Sequence, residues 1–304
     1  METPTRRQET IRGLGTKRIE MSNNALEAMD TSPAPSPSPK SISSQSVSRM
    51  WGAAAQRNLR NQWSKLAALK GKWDSVSNSG KSHAVSIINT FLSYTYIPSM
   101  EFGALTNMPL IREKARRKLS KQLEDHRRRL LCSYKGLIEI AVEMIETRSS
   151  MRCYMKNGNN PSFITFGNSK EQNDDDGDGG GVPVFSFLSV TEHEEMAKEL
   201  SEMFSNELIV KRLITADLIT MGCKLSEPKW PNELYINEFN DLTKCNLISE
   251  VQMRDASKFV DKKDRETLQV YLTAWLAEVN INCYRYEILY LLWIICSFLS
   301  FQIG

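Results

Sequence analysis

The sequence predicts a mostly α-helical bundle built round one long heptad-bearing helix, with a small β-hairpin and a disordered N-terminal arm. Three observations carry this. Leu123, Leu130, Leu137, Met144 and Met151 recur every seven residues, with Leu119, Tyr134 and Ala141 beside them, so an apolar seam runs through residues 110–156. Other amphipathic stretches flank that segment, while strand-like runs are short and few. The chain is 41% hydrophobic and 25% charged, as expected of a chain with a packed core, and its net charge of +3 is too small to indicate nucleic-acid binding by itself. The expected divisions are a Ser/Pro-rich arm over 1–46, a helical domain over 47–250 with an acidic Gly-rich loop at about 167–181, a polar connector and amphipathic helix over 251–283, and an apolar tail over 284–304.

The arm is rich in Ser, Pro, Thr and charge, and cannot bury enough apolar surface to offset the entropy of ordering it. Ser32, Ser36 and Ser38 each precede a proline, which makes them candidate phosphosites; the alternative is a solvated proline-rich tail. No apolar run occurs in the first thirty residues, so no secretory signal is expected. The six cysteines form no close pair of the kind that builds zinc sites or redox motifs, and reduced thiols in the nucleus or cytoplasm are expected.

Residues 48–73 read as a helix with Trp51, Trp63 and Trp73 largely on one side and Arg49, Arg57, Arg60, Lys65, Lys70 and Lys72 on another. The tryptophans form an aromatic anchor facing either this chain's own core or an external partner. SVSNSGKS (75–82) ends like a phosphate-binding loop. Ser75 takes the place of the first glycine, however, and no buried strand precedes it, so nucleotide binding is not expected. A second helix is expected over 82–96, stopping before Pro98, with Gly103 and Pro109 framing a connector.

The first half of the seam helix is basic. Arg112, Lys114, Arg116, Arg117, Lys118, Lys121, Arg127, Arg128 and Arg129 face only Glu113, Glu124 and Asp125, with His126 taken as neutral. This face could serve nuclear import or meet an acidic partner, nucleic-acid phosphates included. The plain alternative is a solvated helix face, since no aromatic residues interleave to stack bases.

Beyond residue 156, FITF (163–166) and VPVFSFL (182–188) read as strands that could pair across NDDDGDGGG. Asp174, Asp176, Asp178 and Gly179 match the start of an EF-hand loop, but the twelfth position is Phe185 rather than a bidentate Glu, so a flexible acidic linker is expected and no metal site. Thr191 and Glu194 suggest a capping box opening a helix to about Met221, the expected partner of the seam, with His193 at its polar start. KWPNELYINEFNDL (229–242) reads as an extended or short-helical strap. After a polar connector over 251–265, Leu268, Leu272, Trp275, Leu276 and Val279 mark another amphipathic helix. Residues 288–304 carry no charge, and three accounts stand for them: a marginal membrane anchor, a buried terminal helix, or a read-through gene end.

AAAQRNLRNQWSKL (53–66), SSMRCYMK (149–156), GDGGGVPVFSF (177–187) and LQVYLTAWLAEVNI (268–281) resemble a land-plant helical family, uncharacterised apart from the spindle- or kinetochore-associated label that some members carry. The resemblance covers about 51–281 and implies a short polar end where this chain has an apolar tail, which favours read-through over an anchor. It implies no catalytic residue and no cofactor. The expectation is a non-enzymatic helical scaffold subunit of a larger complex, assembling through the seam and the tryptophan helix. The alternatives are a nucleic-acid-binding module using the basic face and a tail-anchored membrane adaptor.

Overall fold

The computed structural model describes residues 44–155, 164–167, 176–222, 233–247 and 265–299. The candidate phosphosites Ser32, Ser36 and Ser38, most of the 251–265 connector and residues 300–304 lie outside them. Among the described residues there are six α-helices and one small antiparallel sheet, so the chain is mostly α.

Helix α1 (Ser44–Tyr96) runs unbroken for 53 residues, about 80 Å at the α-helical rise. Two helices are expected here, and the difference lies at the P-loop-like stretch. SNSGKS stays helical because packing overrides its weak propensity: the Trp275 indole donates to the Ser77 carbonyl at 3.0 Å and its ring covers Gly80. The cradle that a phosphate would need does not form.

After a 14-residue connector, α2 (Ile111–Ser149) returns antiparallel to α1. Asn58 sits at its far end, donating from Nδ2 to the Ser150 and Met151 carbonyls at 2.8 and 3.0 Å, while Tyr94 meets Arg116 at the near end. Asn58 thus satisfies carbonyls that the end of α2 would leave open. The helix stops at Ser149, earlier than its apolar pattern suggests, because Cys153–Met155 turns into strand β1.

β1 pairs with β2 (Ile164–Phe166) in the register Tyr154 opposite Thr165. The expected partner of FITF was VPVFSFL. That segment is instead a turn in which the Val184 N–H donates to the Leu188 carbonyl at 2.9 Å. GDGGG is not a loose linker either. Its Gly177 carbonyl accepts from the Cys153 N–H, and Gly177 and Gly179, at φ +70° and +68°, press against the rings of Tyr154 and Trp51. Only glycine combines that backbone with that approach.

Helix α3 (Val190–Thr220) opens on a capping box at Ser189 and Glu192, two residues ahead of the expected pair. It runs parallel to α1, matching Trp63 with His193, Trp73 with Phe204 and Phe91 with Gly222. It is antiparallel to α2, since Arg152 pairs with Glu194 near one end and Arg127 donates to the Met221 carbonyl near the other. The short helix α4 (Glu238–Lys244) closes the strap expected at 229–242. Helices α5 (Arg265–Ala277) and α6 (Cys283–Leu299) then pack back onto the same compact unit. Arg285 forms a two-bond pair with Glu199 on α3, and Trp293 stacks on Trp63 at 6.0 Å, so α6 runs antiparallel to both α1 and α3.

Candidate interaction surfaces

The seam is where the sequence places it and faces inward. Leu123, Leu130, Leu137 and Met144 are buried along α2, Met151 is buried just beyond the helix, and Leu119 is half-buried towards the connector. Their partners are α1 and α3 of the same chain. The seam is therefore internal, and it is not the surface through which another molecule could be met.

The aromatic anchor is internal as well. Trp51 donates from Nε1 to the Cys153 carbonyl at 2.9 Å, fastening β1 to α1. Trp63 lies between Trp293 and His193. Trp73 packs edge-on to Phe204 and donates to Glu278 at 3.1 Å. His193, expected at a polar helix start, is wholly buried between Trp63 and Phe185, and that burial pushes its pKa down to about 4, against a small opposing pull from Glu192. A neutral imidazole in an aromatic box has nothing to exchange a proton with. Burial also pushes the Cys153 thiol up to about 11 and the Cys245 thiol up to about 12, away from nucleophilic range.

Two buried ionic clusters were not read from the sequence. Glu238 accepts from Arg212 at 2.8 and 3.1 Å, from the Tyr134 hydroxyl at 2.7 Å and from the Leu234 N–H at 2.7 Å, joining α2, α3 and α4. Burial, then the adjacent carboxylate, holds the Tyr134 hydroxyl well above its usual range. Lys211 lies against Glu207 at 3.3 Å and Glu278 at 3.6 Å, and donates to the Trp275 carbonyl at 2.5 Å. Glu207 accepts from both nitrogens of Asn280, and Glu278 accepts from Trp73 and Ser77. Burial lowers the pKa of Lys211 and raises that of Glu207. In each cluster a buried cation faces buried carboxylate across two or more elements, which is the arrangement of a cross-brace. The available signal was the pair Lys211-Arg212 inside an apolar run, where a helix has no water-facing side for a charge and the charge must find a buried partner. Among the described residues no group of three or more His, Cys, Asp or Glu could hold a metal ion.

Two exposed surfaces remain. The first is the outer side of α6. Tyr284, Ile288, Leu291, Ile295 and Phe298 follow each other at steps of four and three and all face solvent, with Leu292 beside them; Tyr284 is 82% exposed and Phe298 66%. Leu289 and Cys296, buried, and Tyr286 and Trp293, half-buried, occupy the opposite side and hold the helix to the bundle. No described helix is long and apolar enough to cross a membrane, so the expectation of an anchor over 288–304 finds no spanning helix to rest on.

The second surface is the connector at the end of the α1–α2 hairpin together with the basic start of α2. Tyr96, Met100, Leu105, Met108 and Leu110 are exposed there. Arg112, Lys114, Arg116, Arg117, Lys118 and Lys121 are exposed on the adjoining turns. The predicted basic face divides in two. Arg127 is drawn in against Met221, while Arg128, beside Asp125, and Arg129 stay outside at a distance from the connector.

No protein-family model matches this chain, and none of the curated proteins compared with it matches significantly.

Proposed function

We propose that the protein is a non-enzymatic helical assembly subunit that pairs with a second copy of itself through the outer side of α6 and so enters a larger complex. The exposed stripe of α6 carries this reading. Beyond Glu287 this helix carries no charge on any side; a helix apolar all round is ordinarily covered on all sides, and this one is covered on one. In heptad terms Ile288 and Ile295 take the a positions and Tyr284, Leu291 and Phe298 the d positions, and β-branched residues at a, with Leu291 between aromatic residues at d, suit a two-stranded pairing. The stripe with Leu292 leaves roughly 600 Å² of apolar side chain in solvent, at the upper end for a lone chain. Two copies joined through it would bury about 1,200 Å², the lower limit of specific interfaces.

The seam and the tryptophans support this reading indirectly: by giving the chain a core of its own, they leave α6 spare for association. A nuclear or cytoplasmic setting, on chromosomes or the spindle, rests on the resemblance over 51–281 and belongs to the same proposal. Light scattering across a concentration series tests the pairing. The full chain should approach the mass of two copies, and Ile288→Lys/Ile295→Lys should hold at one. A wild-type chain that stays at one copy up to its solubility limit sinks the proposal.

A further inference from the structure

The hairpin end has a build that neither the core nor the α6 stripe uses. One side chain clamps the first part of its connector. The Arg112 guanidinium donates to the carbonyls of Pro98 at 2.6 Å, Met100 at 3.0 Å and Ile97 at 3.4 Å, and lies over the Phe102 ring at 4.9 Å. Ile97 is buried beneath it. Leu110 begins α2 from the left-handed region at φ +58° and is 66% exposed, so the chain holds an apolar side chain outward at a backbone that leucine rarely adopts. Tyr96, Met100, Leu105 and Met108 are exposed around it.

Charge around this cap is arranged by distance from the end. From Ser82 to Ile111 the only Lys, Arg, Asp or Glu is Glu101, so α1 approaches the cap uncharged, with Tyr94 and Tyr96 on its last turns. The following residues bring Arg112, Lys114, Arg116, Arg117, Lys118 and Lys121 against Glu113 alone. Arg117 is paired with Glu113, and Arg116 lies over Tyr94. Among the described residues Lys114, Lys118 and Lys121 have no ion pair. These residues start at the first turn of α2 and end about 15 Å along it.

We propose that the hairpin end is a peripheral binding element for an anionic lipid surface, with Met100, Leu105, Met108 and Leu110 entering the boundary of the acyl chains and Lys114, Lys118 and Lys121 meeting the headgroups. The shape favours lipid over a protein groove or a nucleic acid. The exposed apolar side chains cluster on the turn that joins α1 to α2 instead of forming a stripe along a helix, and a duplex groove offers no apolar surface to receive them. Interfacial elements insert about 5–10 Å of apolar surface with cationic stems reaching back to the headgroups, and here the cations follow the apolar cap on the first three turns of α2. Tyrosine at the rim fits the same boundary. The opposite charge of the lipid supplies attraction that a neutral surface would not.

The test is co-sedimentation of the full chain with vesicles of phosphatidylcholine alone and of phosphatidylcholine with phosphatidylserine, at low and high salt. The expected result is binding only with phosphatidylserine, weakened by salt. Leu105→Glu/Met108→Glu and, separately, Lys118→Glu/Lys121→Glu should each weaken it by at least about tenfold. All four positions are exposed, and circular dichroism checks that each variant stays folded. Ile288→Lys/Ile295→Lys should bind vesicles as well as the wild type does, which separates this proposal from pairing through α6. Equal binding to neutral vesicles overturns it, as does phosphatidylserine binding that survives Leu105→Glu/Met108→Glu. Binding of duplex DNA that depends on Lys118 and Lys121 but not on Leu105 and Met108, without vesicle binding, assigns the basic turns to nucleic acid instead.

Discussion

Gly71 and Gly80 stand in the same helix, and replacing each with alanine should have opposite signs. At Gly71 a Cβ meets nothing within 4 Å, so Gly71→Ala should raise stability by roughly 0.5–1 kcal/mol through lower backbone entropy in the unfolded chain. At Gly80 it would stand 2.5 Å from the Trp275 ring, so Gly80→Ala should lower stability by about 1–3 kcal/mol. Urea midpoints of the two variants check this, and a gain at both positions would mean that Trp275 does not lie across α1. His193 gives a pH signature at the same scale. Its folded pKa of about 4 lies below the ordinary 6.5, so the unfolded chain binds the proton more readily. The stability it contributes is complete above pH 6.5 and is lost as pH falls towards 4, on the order of 3 kcal/mol over that window. His193→Leu should flatten the fall in urea midpoint between those pH values relative to the wild type. An unchanged slope would place the imidazole in water.

At the scale of elements, the braces decide more than the helical pattern does. Glu238→Ala takes the carboxylate away from a buried guanidinium and a buried hydroxyl, and should cost about 3–5 kcal/mol. Arg212→Met/Glu238→Leu, which removes both charges at similar volume, should recover most of that loss. A double variant as unstable as the single one would mean that the pair contributes more than mutual neutralisation. This scale also separates what was legible in the sequence from what was not. Leu123, Leu130, Leu137 and Met144 announce α2 and its buried side because their period is a local property. The continuity of α1 through SNSGKS was hidden, since its cause is Trp275, some two hundred positions away. β2 was legible as a strand from its residue types, but its partner β1 was not, because a three-residue strand carries too little pattern to name its neighbour. The acidic loop misled for a related reason: glycine reads as freedom until the rings of Trp51 and Tyr154 are set against it. The α6 stripe was present in the letters at four-three spacing, masked by the equally apolar residues on the helix's other side.

For the whole molecule, the consequence of an internal seam is that folding and pairing separate. A chain whose core is completed by a partner has no stable single form, whereas here α1, α2, α3 and α6 bury the three tryptophans of α1 within one copy. Pairing through α6 would then add to stability by mass action without being required for it. The thermal midpoint of the wild type should rise with protein concentration, since association stabilises only the folded chain. The midpoint of Ile288→Lys/Ile295→Lys should not depend on concentration and should equal the wild-type value at high dilution, because both positions face solvent in the single copy. Differential scanning fluorimetry at several concentrations, read alongside light scattering, makes the comparison. A variant that is unfolded at every concentration would mean that α6 needs its mate to hold its place on Trp63 and Trp293, and that the bundle is finished between chains rather than within one.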